Sequence, residues 1–176
     1  MTSTTKAPWI RAVVLAVIVV LVLGAVYLGM KKDESTVEVA EPAGPVLEVG
    51  DSAPRFTALD KDGLPVDSDA LTGRIWLVFN ATWCSSCRAE IPEVQELANR
   101  SDVEVVAVYL RENTADVRAF ADRLGLEYTQ VADPNGEISS AYGISSVPSH
   151  VLVEDGVVTF KKLGALRADD MNAALD

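Results

Sequence analysis

The sequence predicts an α/β domain with a mixed central sheet flanked by helices, and three observations carry that prediction. Apolar runs of strand length alternate with segments whose apolar residues recur at helical spacing. The alternation ends in two short apolar runs joined across Asp155-Gly156, followed by a last helical segment. The only two cysteines, Cys84 and Cys87, stand where the first apolar run passes into the first helical segment. Strands alternating with helices, then a terminal hairpin and helix, describe a layered α/β sandwich. Residues 50–176 are enough for one such domain with its own core.

Ahead of the domain, residues 12–30 run for 19 positions without a charge. At 1.5 Å per residue a helix of that length is about 28 Å long, close to the roughly 30 Å hydrocarbon core of a bilayer. Residues 1–32 are therefore expected to hold one transmembrane anchor. A cleaved signal peptide is the alternative, but its apolar region is usually about 7 to 15 residues and ends at a small-x-small site. Leu28-Gly29-Met30-Lys31 offers no clear site, so a retained anchor is the preferred reading. Lys6 and Arg11 flank one end and Lys31 and Lys32 the other, so the positive-inside rule scarcely orients it. Residues 33–49, with Pro42 and Pro45 and no sustained period, read as a flexible tether.

Within the domain, strands are expected over residues 75–79, 103–110, 151–153 and 157–160, the first three apolar enough to be central. Ile91, Val94, Leu97 and Ala98 form one helical stripe. Val117, Phe120, Ala121 and Leu124 form another, closed by Gly125. Shorter helices are expected over residues 137–142 and 168–175. All 26 acidic residues follow Lys32, which makes the body strongly acidic. That charge disfavours nucleic acid and anionic lipid surfaces; it fits partners with basic patches, or solubility alone.

The cysteine pair carries the chemistry. Two sulfurs at i and i+3 of a helical turn have α-carbons within the roughly 4.4 to 6.8 Å that a disulfide requires. So small a loop removes little unfolded-chain entropy, which points to a chemical rather than a structural bond. Cys84 would occupy the first turn of the helix, where unpaired N–H groups and the positive end of the macrodipole favour an anion. It is the expected nucleophile, the more exposed sulfur, with its pKa pulled below the free value of about 8.5. Cys87, one turn further in, is the expected resolving thiol. A zinc site normally takes four ligands, whereas the two cysteines and the single histidine, His150, supply three. A copper- or zinc-binding or thiol-sensing module is thus the weaker reading, and no metal is expected. A peroxidatic cysteine, with Thr82 two residues before Cys84, fits less well than dithiol exchange. No cofactor is expected beyond the redox-active Cys84–Cys87 disulfide.

The order Gly50-x-x-Ala53-Pro54-x-Phe56, Asp62-Gly63, Leu71-x-Gly73, then Val78-Phe79-Asn80-Ala81-Thr82-Trp83-Cys84-Ser85-Ser86-Cys87-Arg88-x-Glu90-x-Pro92 resembles the membrane-anchored TlpA/ResA/CcmG-type thioredoxin-like proteins. Asp133-Pro134-Asn135-Gly136, Tyr142-Gly143-Ile144, Val147-Pro148 and Asp155-Gly156 continue the match, so it covers essentially all of residues 50–176. The resemblance implies a thioredoxin-like fold and an enzyme that reduces disulfides outside the cytoplasm, often those of apocytochrome c. It implies as partners disulfide-containing extracytoplasmic proteins and, because the chain has no further cysteines, a separate membrane reductase that supplies electrons. The domain would then lie on the extracytoplasmic side of the cell membrane. A disulfide-forming oxidase or isomerase using the same pair is the alternative.

The resemblance also assigns roles. Pro148 corresponds to the cis-proline that faces the cysteine pair, with Val147 offering backbone groups to a substrate chain; an ordinary trans proline at a strand start is the other reading. Glu90 corresponds to the acidic residue beneath the active site, where it could exchange protons with the thiols, unless it is a solvated helix glutamate. A carboxylate beside a thiolate would couple the proton affinities of the two. Trp83 would shield the motif and meet partners, or simply pack. Pro92 corresponds to a helix-kinking proline. Two positions depart from plain thioredoxin: Val78 stands where that protein has a buried aspartate, and Ser85-Ser86 separates the cysteines. His150, two residues after Pro148, is expected to be a packing or surface residue rather than a catalyst.

Overall fold

The computed structural model describes residues 47–176 and, before them, Val14, Val17, Ile18 and Val20. Among the described residues no helix is long and apolar enough to cross a membrane. Apart from those four positions, the span expected over residues 12–30 lies outside the described residues, as does the tether up to residue 46.

The elements in order are β1 (Thr57–Leu59), β2 (Pro65–Asp67), β3 (Arg74–Asn80), α1 (Ser85–Ala98), β4 (Glu104–Leu110), α2 (Thr114–Leu124), β5 (Thr129–Asp133), α3 (Glu137–Ala141), β6 (Ser149–Glu154), β7 (Val157–Leu163) and α4 (Ala168–Ala173). Five strands form one mixed sheet in the order β5-β4-β3-β6-β7, and β1 and β2 pair as a separate antiparallel hairpin. β3, β4 and β5 run parallel, joined by α1 and α2 as crossovers. β6 and β7 return antiparallel. The three strands expected to be central, β3, β4 and β6, are central. The β6–β7 turn places both Asp155 (φ 49°) and Gly156 (φ 80°) in the left-handed region, as a two-residue hairpin turn requires.

Alternation along the strands builds a core on each face of the sheet. Trp76, Val78, Ala107, Tyr109 and Leu152 face α1, α2 and α4, meeting Val94, Leu97, Val117, Phe120 and Met171. Leu77, Phe79, Val106, Val108, Val131 and Val151 face the other way, toward Ile138, Tyr142 and Ile144. Leu47 is buried in this second core, so ordered packing begins before Gly50.

Three strands lack a sequence signal. β1 and β2 are three residues each, too short for a period, and are set by Asp60, whose Oδ1 accepts the N–H groups of Asp62 and Leu64 at 2.8 Å. β5 reads as polar because of Gln130. That side chain is buried but satisfied, accepting from Tyr109 Oη and donating to the Tyr128 carbonyl, both at 2.7 Å.

Candidate dithiol active site

The sheet delivers the cysteine pair to one end of the domain. β3 ends at Asn80, residues 81–83 turn, and Cys84 is the N-cap of α1 with extended backbone (φ −75°, ψ 115°). Its sulfur does the work usually done by a capping oxygen, because the Cys87 N–H donates to Cys84 Sγ at 3.1 Å. The two cysteines are disulfide-bonded with α-carbons 5.3 Å apart. Sγ of Cys84 lies 3.3 Å from Ser86 Oγ and 4.0 Å from the Val147 carbonyl oxygen. A thiolate at this atom would sit against the unpaired N–H groups of the helix start.

As whole residues, the two cysteines are buried almost alike. Cys84 is 6% exposed and Cys87 5%. The asymmetry lies in position, since Cys84 caps the helix and meets Val147 while Cys87 is inside the first turn. Trp83, by contrast, is 69% exposed, so its side chain is presented to solvent beside the motif rather than packed. Val147–Pro148 is a cis peptide, with Pro148 buried and Val147 half-buried against the Ala81, Cys84 and Cys87 cluster. The trans reading of Pro148 is thereby excluded. Pro92 lies within α1.

Two features of the site had no signal in the sequence. Glu112 lies just beyond β4 and grips the turn before the cysteines, accepting from Thr82 N at 2.8 Å and Thr82 Oγ1 at 2.6 Å. Arg88 Nη1 holds the same residue from α1 by donating to the Thr82 carbonyl at 2.9 Å. Only the parallel pairing of β3 and β4 brings Glu112 there, thirty residues along the chain.

The second feature is a buried chain of polar groups under α1. Glu90 is 3% exposed, which excludes the solvated reading, and its Oε1 accepts the Leu166 N–H at 2.6 Å. His150 is 0% exposed, and its Nδ1 accepts from Trp76 Nε1 at 3.2 Å. His150 Nε2 lies 2.9 Å from Glu90 Oε1, an ion-pair distance, yet His150 Nε2 makes no hydrogen bond. Of the two places expected for His150, packed or at the surface, the structure shows the packed one: β6 begins right after Pro148, and its register turns His150 inward opposite Val78, where it also meets Glu90. Among the described residues no group of three or more His, Cys, Asp or Glu side chains could hold a metal ion.

A dithiol at the start of a helix, following the central strand of a mixed sheet and faced by a cis-proline, defines a thioredoxin-like thiol-disulfide oxidoreductase. Comparison with known proteins agrees. The chain belongs to the Redoxin family, whose model matches residues 48–175. It is 30% identical over 175 residues to the thiol-disulfide oxidoreductase ResA of Oceanobacillus iheyensis, covering 94% of this chain and 86% of that protein. With the ResA of Geobacillus thermodenitrificans it shares 29% identity over 171 residues, covering 94% and 95%. Among solved structures, a thiol:disulfide interchange protein described as DsbE from Chlorobium tepidum superposes with a TM-score of 0.64 at 32% identity, over 74% of this chain and 99% of that one.

Proposed function

We propose that this oxidoreductase works in the reducing direction, on disulfides of extracytoplasmic proteins such as apocytochrome c, from a domain tethered to the cell membrane by residues 1–32. The observation that carries the reading is the environment of Cys84, a sulfur capping a helix N-terminus beside an exposed tryptophan and 4.0 Å from the Val147 carbonyl of the cis-proline segment.

The reaction needs no cofactor beyond the pair itself. Cys84 thiolate attacks one sulfur of the partner disulfide, forming a mixed disulfide and releasing the partner's other sulfur as a thiolate. Cys87 gives up its proton to Glu90 and attacks Cys84 Sγ. The Cys84–Cys87 bond forms, the mixed disulfide breaks, and the second partner sulfur leaves to be protonated. Glu90 passes its proton on to a departing partner sulfur, two electrons pass from the dithiol to the partner, and a separate membrane reductase returns two electrons and the one proton that restores the Cys87 thiol beside the Cys84 thiolate. Trp83 and Val147 hold the partner chain against Cys84, and Pro148 fixes the turn that presents Val147.

Two measurements test this. Cys87→Ser in the full chain should trap partners as mixed disulfides through Cys84; recovery of none, where the unmodified chain turns over, overturns the reading. The reduction potential of the pair should lie near −270 mV, where a thioredoxin-type reductant sits. A value near −120 mV would assign it to disulfide formation instead, because the reduced form would be the stabilised one.

A further inference from the structure

We infer that His150 is a positioning residue for the thiol chemistry, held by Trp76 as a neutral donor that sets the protonation of Glu90. The inference rests on the proposal that Glu90 takes the Cys87 proton. Its starting point is that Glu90 Oε2 and His150 Nε2 are, among the described residues, the two buried side-chain polar atoms without a hydrogen-bond partner, and they belong to residues in contact. Orphaned buried polar atoms are costly, about 1 to 3 kcal/mol each, and call for an explanation. A pair that must gain and lose a proton during turnover supplies one, since no single arrangement can satisfy both of its states.

Trp76 decides which state His150 can adopt. An indole Nε1–H can only donate, so the His150 Nδ1 it faces at 3.2 Å must carry a lone pair. The ring proton of the neutral imidazole is thereby assigned to Nε2, on the side of Glu90. A second proton would have to go on Nδ1, directly against the Trp76 N–H. His150 is thus kept from becoming imidazolium and offers Glu90 a neutral donor. The Nε2–H makes no hydrogen bond in the disulfide form, but at 2.9 Å from Glu90 Oε1 a small turn of the ring brings it onto the carboxylate, where it favours the ionised form, the one that can accept the Cys87 proton.

The other groups around Glu90 cannot substitute. Cys87 on the same helix is the proton's source. Glu93 is engaged by the Ala168 N–H at 2.9 Å. Tyr128, which feels the Glu90 charge, is pushed up to about 12, chiefly by burial, and stays neutral. Lys162, opposite His150 on β7, is exposed. From α4 and the segment before it, Leu166 contributes only its backbone N–H.

The test is the pH profile of single-turnover oxidation of the reduced full-length chain by a model disulfide peptide. Glu90→Gln identifies the limb of the profile that Glu90 causes; if that limb survives the substitution, the reading of Glu90 fails and the inference falls with it. If Glu90→Gln removes the limb, the His150 variants decide alone. His150→Leu should move it up by about one pH unit, about a tenfold loss of rate below it, because the carboxylate loses its donor. His150→Gln, which keeps a neutral donor near the Nε2 position, should leave it near its original place. Trp76→Phe should move it down, since His150 could then take a second proton and pair with Glu90 as a cation. An unmoved limb in His150→Leu and Trp76→Phe overturns the inference while leaving the Glu90 reading intact. Should a variant not fold, the unmodified chain still decides, because its single histidine gives an unambiguous ¹⁵N spectrum. The neutral Nε2–H form should persist across the limb; appearance of imidazolium there refutes the assignment.

Discussion

Thr82 is held by three hydrogen bonds from two residues, and through it Glu112 reaches the turn before the cysteines. Its amide and hydroxyl both donate to Glu112 and its carbonyl accepts from Arg88. Glu112→Ala removes the acceptor for two donors at once, one of them a half-buried backbone N–H. A hydrogen bond to a charged group contributes about 1.5 to 3 kcal/mol, discounted here because Glu112 is only partly buried. We expect a stability loss of about 1 kcal/mol, read by urea denaturation, and a fall in kcat/KM larger than Glu112→Gln causes, since the amide oxygen can still accept. Equal activity in the two variants would mean that the turn holds its shape without Glu112. The cysteines are legible in the sequence because the C-x-x-C spacing carries them locally, whereas Pro148 and Glu90 are singled out only through the resemblance to a known family. Glu112, Trp76 and His150 make their contacts across strands, and a single sequence does not reveal which strand lies beside which. His150 is packed, one of the two places expected for it, but nothing near it in sequence shows that Trp76 and Glu90 converge on it.

At the scale of elements, α1 is unusual in being capped by the nucleophile. A serine is among the best N-caps and an alanine among the poorest, a difference of about 0.5 to 2 kcal/mol. Cys84→Ser and Cys84→Ala both abolish the disulfide, so comparing them isolates the cap that Cys84 Sγ provides to the Cys87 N–H. Cys84→Ser should unfold at higher denaturant, by about 1 kcal/mol, with the same slope; equal midpoints would show that the sulfur's contact with that N–H contributes no stability. The same element explains why periodicity found the helices well and the strands unevenly. α1 and α2 display long apolar stripes and close with recognisable ends, Gly125 taking the left-handed conformation (φ 65°) after α2. β3, β4 and β6 are buried on both faces and read as continuous apolar runs. β5 lies at the sheet edge with a buried glutamine whose partners, Tyr109 and Tyr128, make it acceptable only in the folded chain.

Across the whole molecule, each of the two cores holds a tyrosine whose hydroxyl is spent inside. Tyr109 belongs to the core under α1 and α2 and donates to Gln130, while Tyr142 belongs to the opposite core and donates to the Pro54 carbonyl at 2.7 Å. Burial pushes Tyr128 and Tyr142 up to about 12 and Tyr109 further still. An unfolded tyrosine titrates near pH 10, so the unfolded chain loses these protons first. Because the folded pKa is the higher one, the stabilisation is fully present below about pH 10 and is lost as pH rises through about 12. The unfolding free energy should therefore be flat from neutral pH to about 10 and then fall, with a slope set by the number of buried tyrosines that titrate late. Tyr142→Phe should lower stability at neutral pH, because the Pro54 carbonyl loses its donor, yet make the alkaline slope shallower. Lys61, raised by its bonds to Asp62 and Asp122, acts in the same direction. Its pairs are exposed and screened, so added salt should remove that contribution and leave the tyrosine slope. A slope unchanged by Tyr142→Phe but abolished by salt would place the alkaline sensitivity on the surface instead of in the two cores.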